Sequence, residues 1–371
     1  MPSGSIYNLG DMLGRTEKHP GYMRPLFRVE IDSDTVITPS GTRIGDNIEP
    51  GICVTSIRTY ASLDALTNDA KIELSAPLIL ENVPETVKIF LGYDSDDDLL
   101  LVYTGNVEEI VTGTTNYISA RSHASHVMKT RTNLTINQKA SDEVIRKLIV
   151  DNCNVKESSK PRERCEIHKS KYIVPHSMTV FDYAKKLCEE ADLWLYMNQK
   201  DELVLTRHAP KPLPDRTRLK DEINSGSAEQ FSHSIDPGEV IEWAFSTRGS
   251  DVEVYTVSYA EYGSNTENLL QSEYDLIKGP PPQEDKKVKE SIFLPYTPKD
   301  VAEKVLRNLK IRRAKRVVGD FLLLGRPEIR VCDSISVGDY RNGIVHRVVH
   351  TFNSSSGFVT EVEAEFRSSS E

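Results

Sequence analysis

Apolar and polar residues alternate with a period of two through residues 341–366, RNGIVHRVVHTFNSSSGFVTEVEAEF. Ile344, His346, Val348, His350 and Phe352 fall on one side of the pattern, and Val345, Arg347, Val349 and Thr351 on the other, with β-branched residues on both. Asn353-Ser354-Ser355-Ser356-Gly357 is a run of turn formers. After it Thr360, Val362, Ala364 and Phe366 alternate with Val359, Glu361, Glu363 and Glu365. The pattern predicts a β-hairpin with one dry face and one wet face. On a helix, histidines four residues apart can share a metal. On a strand, His346 and His350 stand roughly 13 Å apart at about 3.3 Å per residue. They read as scaffold.

The same alternation fills residues 24–119, with PLFRVEID, AKIELSAP, ETVKIFLGYD and LLLVYTGNVEEIV as short strands separated by turn signals such as Pro39-Ser40-Gly41. The acidic turn Asp94–Asp98 lacks the glycine and glutamate an EF-hand loop requires, since Leu99 and Gly105 hold those positions. It reads as a hairpin tip. Near residue 120 the period changes. SDEVIRKLIVDNCNV (141–155) has acids in its first turn and apolar residues at helical spacing. After Pro175, Thr179 and Asp182 are placed as a capping box, and Phe181, Ala184, Leu187, Cys188 and Ala191 form a buried stripe. The hairpin LWLYM/ELVLT follows at once. The Pro-rich stretches 209–227 and 277–291 read as loops or boundaries. Residues 298–316 form a basic helix with Ala302, Val305, Leu306 and Leu309 along an apolar stripe, its charged face solvated or facing an acidic partner.

A chain of 371 residues is long enough for two or three domains. Its net charge of −10, from 46 Lys and Arg against 56 Asp and Glu, opposes a dedicated nucleic-acid binder. The first residues carry no apolar signal core and read as an extended arm. Cys53, Cys153, Cys165, Cys188 and Cys332 are scattered and odd in number, as reduced thiols would be. Cys153, Cys165 and His168 can be drawn as a zinc site, but no Cys-x-x-Cys supports it. His123 and His126 have no carboxylate ligand beside them. Nucleophile elbows, phosphate loops, dinucleotide fingerprints and His-Glu-x-x-His are all missing. No catalytic, cofactor-binding or metal-ligating residue is assigned, and the chain does not read as an enzyme.

Three segments carry a resemblance. Gly325 and Pro327, Asp333, then Gly343 with Val345, Val348, His350 and Phe352, then Gly357, Phe358 and Thr360 resemble the C-terminal signature of phage tail hub proteins, the late control gene D family. VPETVKIFLGYDSDDDLLLVYTGNVEEI resembles its N-terminal strands, and IVPHSMTVFDYAKKLCEEADLWLYMNQKDELVL its middle helix and hairpin. Together they span about residues 24–366. Cys332 departs from the pattern, in which Gly or Pro usually precedes the Asp. The hub part of type VI secretion and extracellular contractile injection spikes is similar.

The resemblance implies a mainly β (α+β) chain with two β-barrel-like tube domains flanking an α/β domain, assembled as a trimeric ring. The boundaries it suggests are an arm at 1–23, a first β-barrel domain at 24–120, an α/β middle domain at 121–235, and a second β-barrel domain at 236–371 with an inserted helix at about 299–316. The implied function is a structural baseplate hub adapting a sixfold tail tube to a threefold spike and lining the channel. Its implied partners are two further copies of itself, the tube protein, the spike, the tape-measure protein and other baseplate subunits, with DNA only as cargo. No cofactor is implied, and the location is the virion tail, assembled in the host cytoplasm. The alternative is a tail-tip hub of a non-contractile phage with a receptor-binding or cell-wall-degrading role.

Overall fold

The computed structural model describes residues 24–49, 51–80, 84–95, 98–158, 165, 167–248, 252–260, 268–273, 288–313 and 316–367. The arm at 1–23 and residues 277–287 of the second expected loop lie outside them, and Val288 already begins a strand.

Strands dominate. From Pro25–Ile31 to Asn116–Arg121 the chain forms antiparallel strands, and their alternation is the one the sequence predicts: Phe27, Val29 and Ile31 are buried while Arg28 and Glu30 are half-buried. These strands enclose a first core of Ile57, Ile72, Val87, Ile89, Leu91 and their neighbours. A second set, Val240–Arg248, Arg316–Leu324, Ser334–Val337, Tyr340–Asn353 and Gly357–Arg367, surrounds a second core that includes Phe321, Ile335, Val348 and Phe366.

Between them in sequence lies a third core. Helix Ser141–Arg146 continues into a π-turn at Lys147–Asp151 and packs with helix Val180–Ala191. Thr179 caps the latter, its hydroxyl oxygen accepting from the Asp182 N–H at 3.1 Å, and the Phe181, Ala184, Leu187, Cys188 and Ala191 stripe is buried. Helix Lys299–Arg313 lays Val301, Ala302, Val305, Leu306 and Leu309 against the same core. The stretch 209–227 is not all loop. Asp215 accepts from the Arg218 N–H at 3.0 Å and starts a helix, Arg216–Asn224, which buries Leu219 and Ile223. Its signal was a cap followed by two apolar residues four apart, hidden by the flanking prolines.

The two β sets are one sheet. Tyr340–Asn353 keeps one edge against Gly357–Arg367, its residues 344–353 pairing with residues 357–365. Its other edge is divided: residues 340–344 pair with Ser334–Val337, and residues 347–353 pair with 56–62 of strand Val54–Ser62. The result is a 16-stranded sheet whose pairings, among the described residues, form no closed ring. Among the described residues, neither β set closes on itself as the barrel-like domains implied by the resemblance would. Val54–Ser62, a strand that could close the first set on itself, is engaged by the second set instead.

Two glycines of the C-terminal signature are seats for rings. A Cβ on Gly325 would enter the ring of Phe358, and one on Gly343 would meet the Phe366 ring at 2.5 Å. Both rings are buried and cannot swing away. Gly325→Ala and Gly343→Ala should each lower the unfolding free energy by about 1–3 kcal/mol through overpacking. In urea denaturation, Gly51→Ala, with open space around its Cβ, should shift the midpoint little.

Candidate functional site at the joint between the β sets

The strand the two sets share carries both histidines, and it departs from simple alternation. Val345 pairs with Ala364 and Arg347 with Glu363, which leaves His346 as an extra residue in a β-bulge. The bulge shifts the phase by one. Val345, not Ile344, now shares a face with Val348, His350 and Phe352, while Ile344 opposes Glu365. This corrects the face assignment made from period two alone.

The two histidines consequently meet groups on opposite faces of the neighbouring strand. His346 Nε2 lies 3.2 Å from Glu365 Oε2, and His350 Nδ1 lies 3.1 Å from Thr360 Oγ1. Residues 360 and 365 have opposite parity in a strand with regular pairing, so one ion cannot bridge the pair. Thr360 Oγ1 already accepts from the Arg326 N–H at 2.8 Å, so its own proton is available to His350 Nδ1. His350 also borders a small cavity of about 30 Å³ lined in part by Tyr103, Tyr196 and Asn198, far below the several hundred Å³ typical of a small-molecule site.

The face expected to be wet is also largely buried. Glu363 and Glu365 are 8% and 6% exposed. Each carboxylate has a cation beside it: Arg347 Nη2 stands 3.4 Å from Glu363 Oε2 and 3.1 Å from Asp320 Oδ1, and Arg316 donates to Glu365. Burial pushes the Glu365 carboxyl up, and His346 and Arg316 more than offset it, holding it down to about 2.

Arg316 follows the basic helix, and here a second expectation changes. The end of that helix is turned inward. Arg312 lies over the Trp194 ring at 3.8 Å and its Nε is 3.1 Å from Asp192 Oδ1, while Arg316 also donates to the Arg312 carbonyl. Trp194 meets the His346 ring edge-on at 5.4 Å. Trp194–Met197 is buried on both faces, Trp194 and Tyr196 entering the second β core and Leu195 and Met197 the helical one. Thus Asp192, Arg312, Trp194, His346, Glu365 and Arg316 form one contiguous path where helices, hairpin and shared strand meet. Lys299, Glu303 and Arg307 stay exposed at the helix's outer face.

Asp333 of the signature organises the adjoining turn. It is 1% exposed, and its carboxylate accepts from the backbone N–H groups of Phe231 (2.8 Å) and Arg330 (3.0 Å), with His233 Nε2 at 3.1 Å. Burial opposes its charge, yet Arg330 and His233 keep its pKa below the ordinary value. Cys332 has φ +67°, the left-handed region where Gly is easiest, which gives a physical reason for the glycine common at this position of the resemblance.

The other candidates from the sequence lie apart from this joint. His126 places its ring nitrogens 2.7 Å from the His123 carbonyl and 2.8 Å from the Cys153 carbonyl. Burial raises the pKa of the Cys153 and Cys165 thiols and pushes that of Cys188 up to about 12. His168 is exposed on strand His168–Ile173. Among the described residues no group of three His, Cys, Asp or Glu is placed to hold a metal. Asp94 accepts from the Arg24 N–H at 3.2 Å and Asp98 lies 3.5 Å from Arg216; residues 96 and 97 of that turn lie outside the described residues.

No protein-family model matches the sequence, and no curated protein does. Solved structures do match in fold. The 43 kDa tail protein of prophage MuSo2 from Shewanella oneidensis superposes with a TM-score of 0.55 at 12% identity, covering 93% of this chain and 98% of that one. The tail protein of Neisseria meningitidis MC58 gives 0.56 at 8% identity, covering 92% and 96%. A chain of the Francisella PdpA–VgrG complex gives 0.50 at 9% identity, and there this chain covers 61% of the other's length. The chain has the fold of phage tail proteins.

Removing one member of the buried pair should cost more than removing both. Glu365→Leu leaves Arg316 uncompensated and should destabilise by about 3–5 kcal/mol, whereas Arg316→Met with Glu365→Leu should recover most of that in a double-mutant cycle. His350 gives a pH test. Burial holds its pKa at about 4, below its ordinary 6.5. Above pH 6.5 it is neutral in both states; as pH falls toward 4 the unfolded chain binds the proton first, and stability should decline by on the order of 3 kcal/mol. His350→Gln should flatten that stretch of the stability–pH curve, and Glu365 should produce a second decline below about 4.5.

Proposed function

We propose that the chain is a structural hub at the end of a phage tail or contractile injection machine, a trimeric ring that adapts a sixfold tube to a threefold spike. The observation that carries this reading is the extent of the fold match: two tail proteins are covered over 98% and 96% of their lengths by 93% and 92% of this chain. The elements described above belong to one continuous likeness, not to a borrowed module.

The division proposed is an arm at 1–23, a first β domain at 24–120, a middle domain at 121–235 and a second β domain at 236–371. Two β sets per chain, three chains per ring, present six comparable surfaces, which is how threefold and sixfold neighbours are reconciled. Even spacing of six sites tolerates no hinge between the two sets. The shared strand and its buried charges supply such a stiff connection. The role needs no catalysis; the chain positions tube, spike and, through the channel, passing DNA. Its location on this reading is the tail of the virion.

Light scattering behind a sizing column should give three times the chain mass, and the purified ring should bind the tube and spike proteins encoded beside it. A particle that stays monomeric and binds neither would overturn the reading.

A further inference from the structure

Strand Val240–Arg248 is a sheet edge. It pairs with Arg316–Leu324 on one side and, among the described residues, with no strand on the other. Trp243 opposes Phe321 and Phe245 opposes Gly319, so both side chains leave the strand on the face that Phe321 turns to the second core. Phe321 is 3% exposed, yet Trp243 is 65% exposed and Phe245 38%. Phe245 crosses the space above Gly319, stacks on Tyr340 at 4.2 Å, and Tyr340 meets Phe366 at 5.5 Å. A ladder of rings thus runs out of the core and ends in water. The uncovered aromatic surface is roughly 300 Å², comparable to the largest apolar patch of an ordinary monomer, which is often functional. Natural edges are commonly blunted by charged residues, Lys above all, or by Pro; Val240–Arg248 has neither Lys nor Pro, and its charges are Glu242 and the terminal Arg248.

The far end of the same sheet offers the complement. Strand Asn47–Glu49 pairs only with Gly41–Ile44, which leaves its outer edge open among the described residues, and Ile48 is 72% exposed. Arg43 opposes Ile48, so an aliphatic side chain and an exposed guanidinium project from one face. That is the chemistry an exposed indole takes: apolar cover plus a cation over the ring. Among the described residues the two edges are not paired with each other: Val240–Arg248 bonds only to Arg316–Leu324, and Asn47–Glu49 only to Gly41–Ile44.

We propose that Val240–Arg248 of one copy receives the Gly41–Glu49 hairpin of a second copy, edge to edge, with Ile48 covering Phe245 and Arg43 stacking on Trp243. The two surfaces differ, so the contact is head to tail and repeats from copy to copy until a ring closes. The inference rests on the reading of the chain as a self-assembling ring and names the surfaces that build it.

Trp243→Asp and Ile48→Asp, each at an exposed position, test this in the full chain, with circular dichroism and thermal melting to confirm wild-type folding. Each variant alone should be a monomer by light scattering while the wild type is oligomeric. Mixed in equal amounts, they should form particles of twice the chain mass and no larger, because one intact edge meets one intact hairpin. If the wild type assembles and Trp243→Asp assembles equally well, this interface is wrong and the ring reading stands. Monomeric variants that fail to dimerise on mixing also overturn the pairing. A wild type that is monomeric at every concentration overturns both.

Discussion

The pairing of residues 347–353 with 56–62 is the contact on which the architecture depends. Without it the protein is two β sets linked by a helical region; with it, a single hydrogen-bonded sheet spans both. Two rings at the hairpin tip reinforce the link. Phe352 and Phe358 belong to the first core, Phe352 meeting Phe27 at 4.9 Å and Phe358 meeting Tyr93 at 5.8 Å. Val348, Val362 and Phe366, a few residues away in the same hairpin, belong to the second. One hairpin thus divides its apolar side chains between two cores, and neither core is complete without it.

Electrostatics set the angle at that joint more than they set its strength. Burying Arg316 and Glu365 costs desolvation that their attraction roughly offsets, so the net gain over a well-packed apolar pair is small. Misplacement is what is expensive, because either charge left alone in that environment loses several kcal/mol. A network that is costly to break and of little net value when made acts as a locator. It holds the end of helix Lys299–Arg313, the Trp194 hairpin and strand Gly357–Arg367 in one arrangement.

Much of the fold was legible because strand and helix periods are local. The alternation in Pro25–Ile31, the Thr179 cap and the stripe through Ala191 needed only neighbours a few residues away. The bulge at His346 was not legible, since a one-residue phase shift is set by the partner strand and leaves both registers plausible in a short apolar run. Glu363 and Glu365 looked solvated because sequence shows charge but not the Arg347 and Arg316 that neutralise it. The same holds for Arg312, whose partners Asp192 and Trp194 are far away in the chain. In the joint, the residue types were visible and their pairing was not.

The shared strand also shapes how the protein is made. Ile57 pairs with Phe352, so one edge of an early strand waits for residues synthesised almost at the end. Pairings this distant in sequence are slow to close and leave an edge open meanwhile. During translation the first β set emerges with Val54–Ser62 unpaired on that side and with its core lacking two phenyl rings. Commitment to the native sheet therefore comes after the last strands leave the ribosome. A nascent chain stalled before residue 340 is an aggregation-prone species, and the finished C-terminal hairpin acts as the latch that ends its exposure.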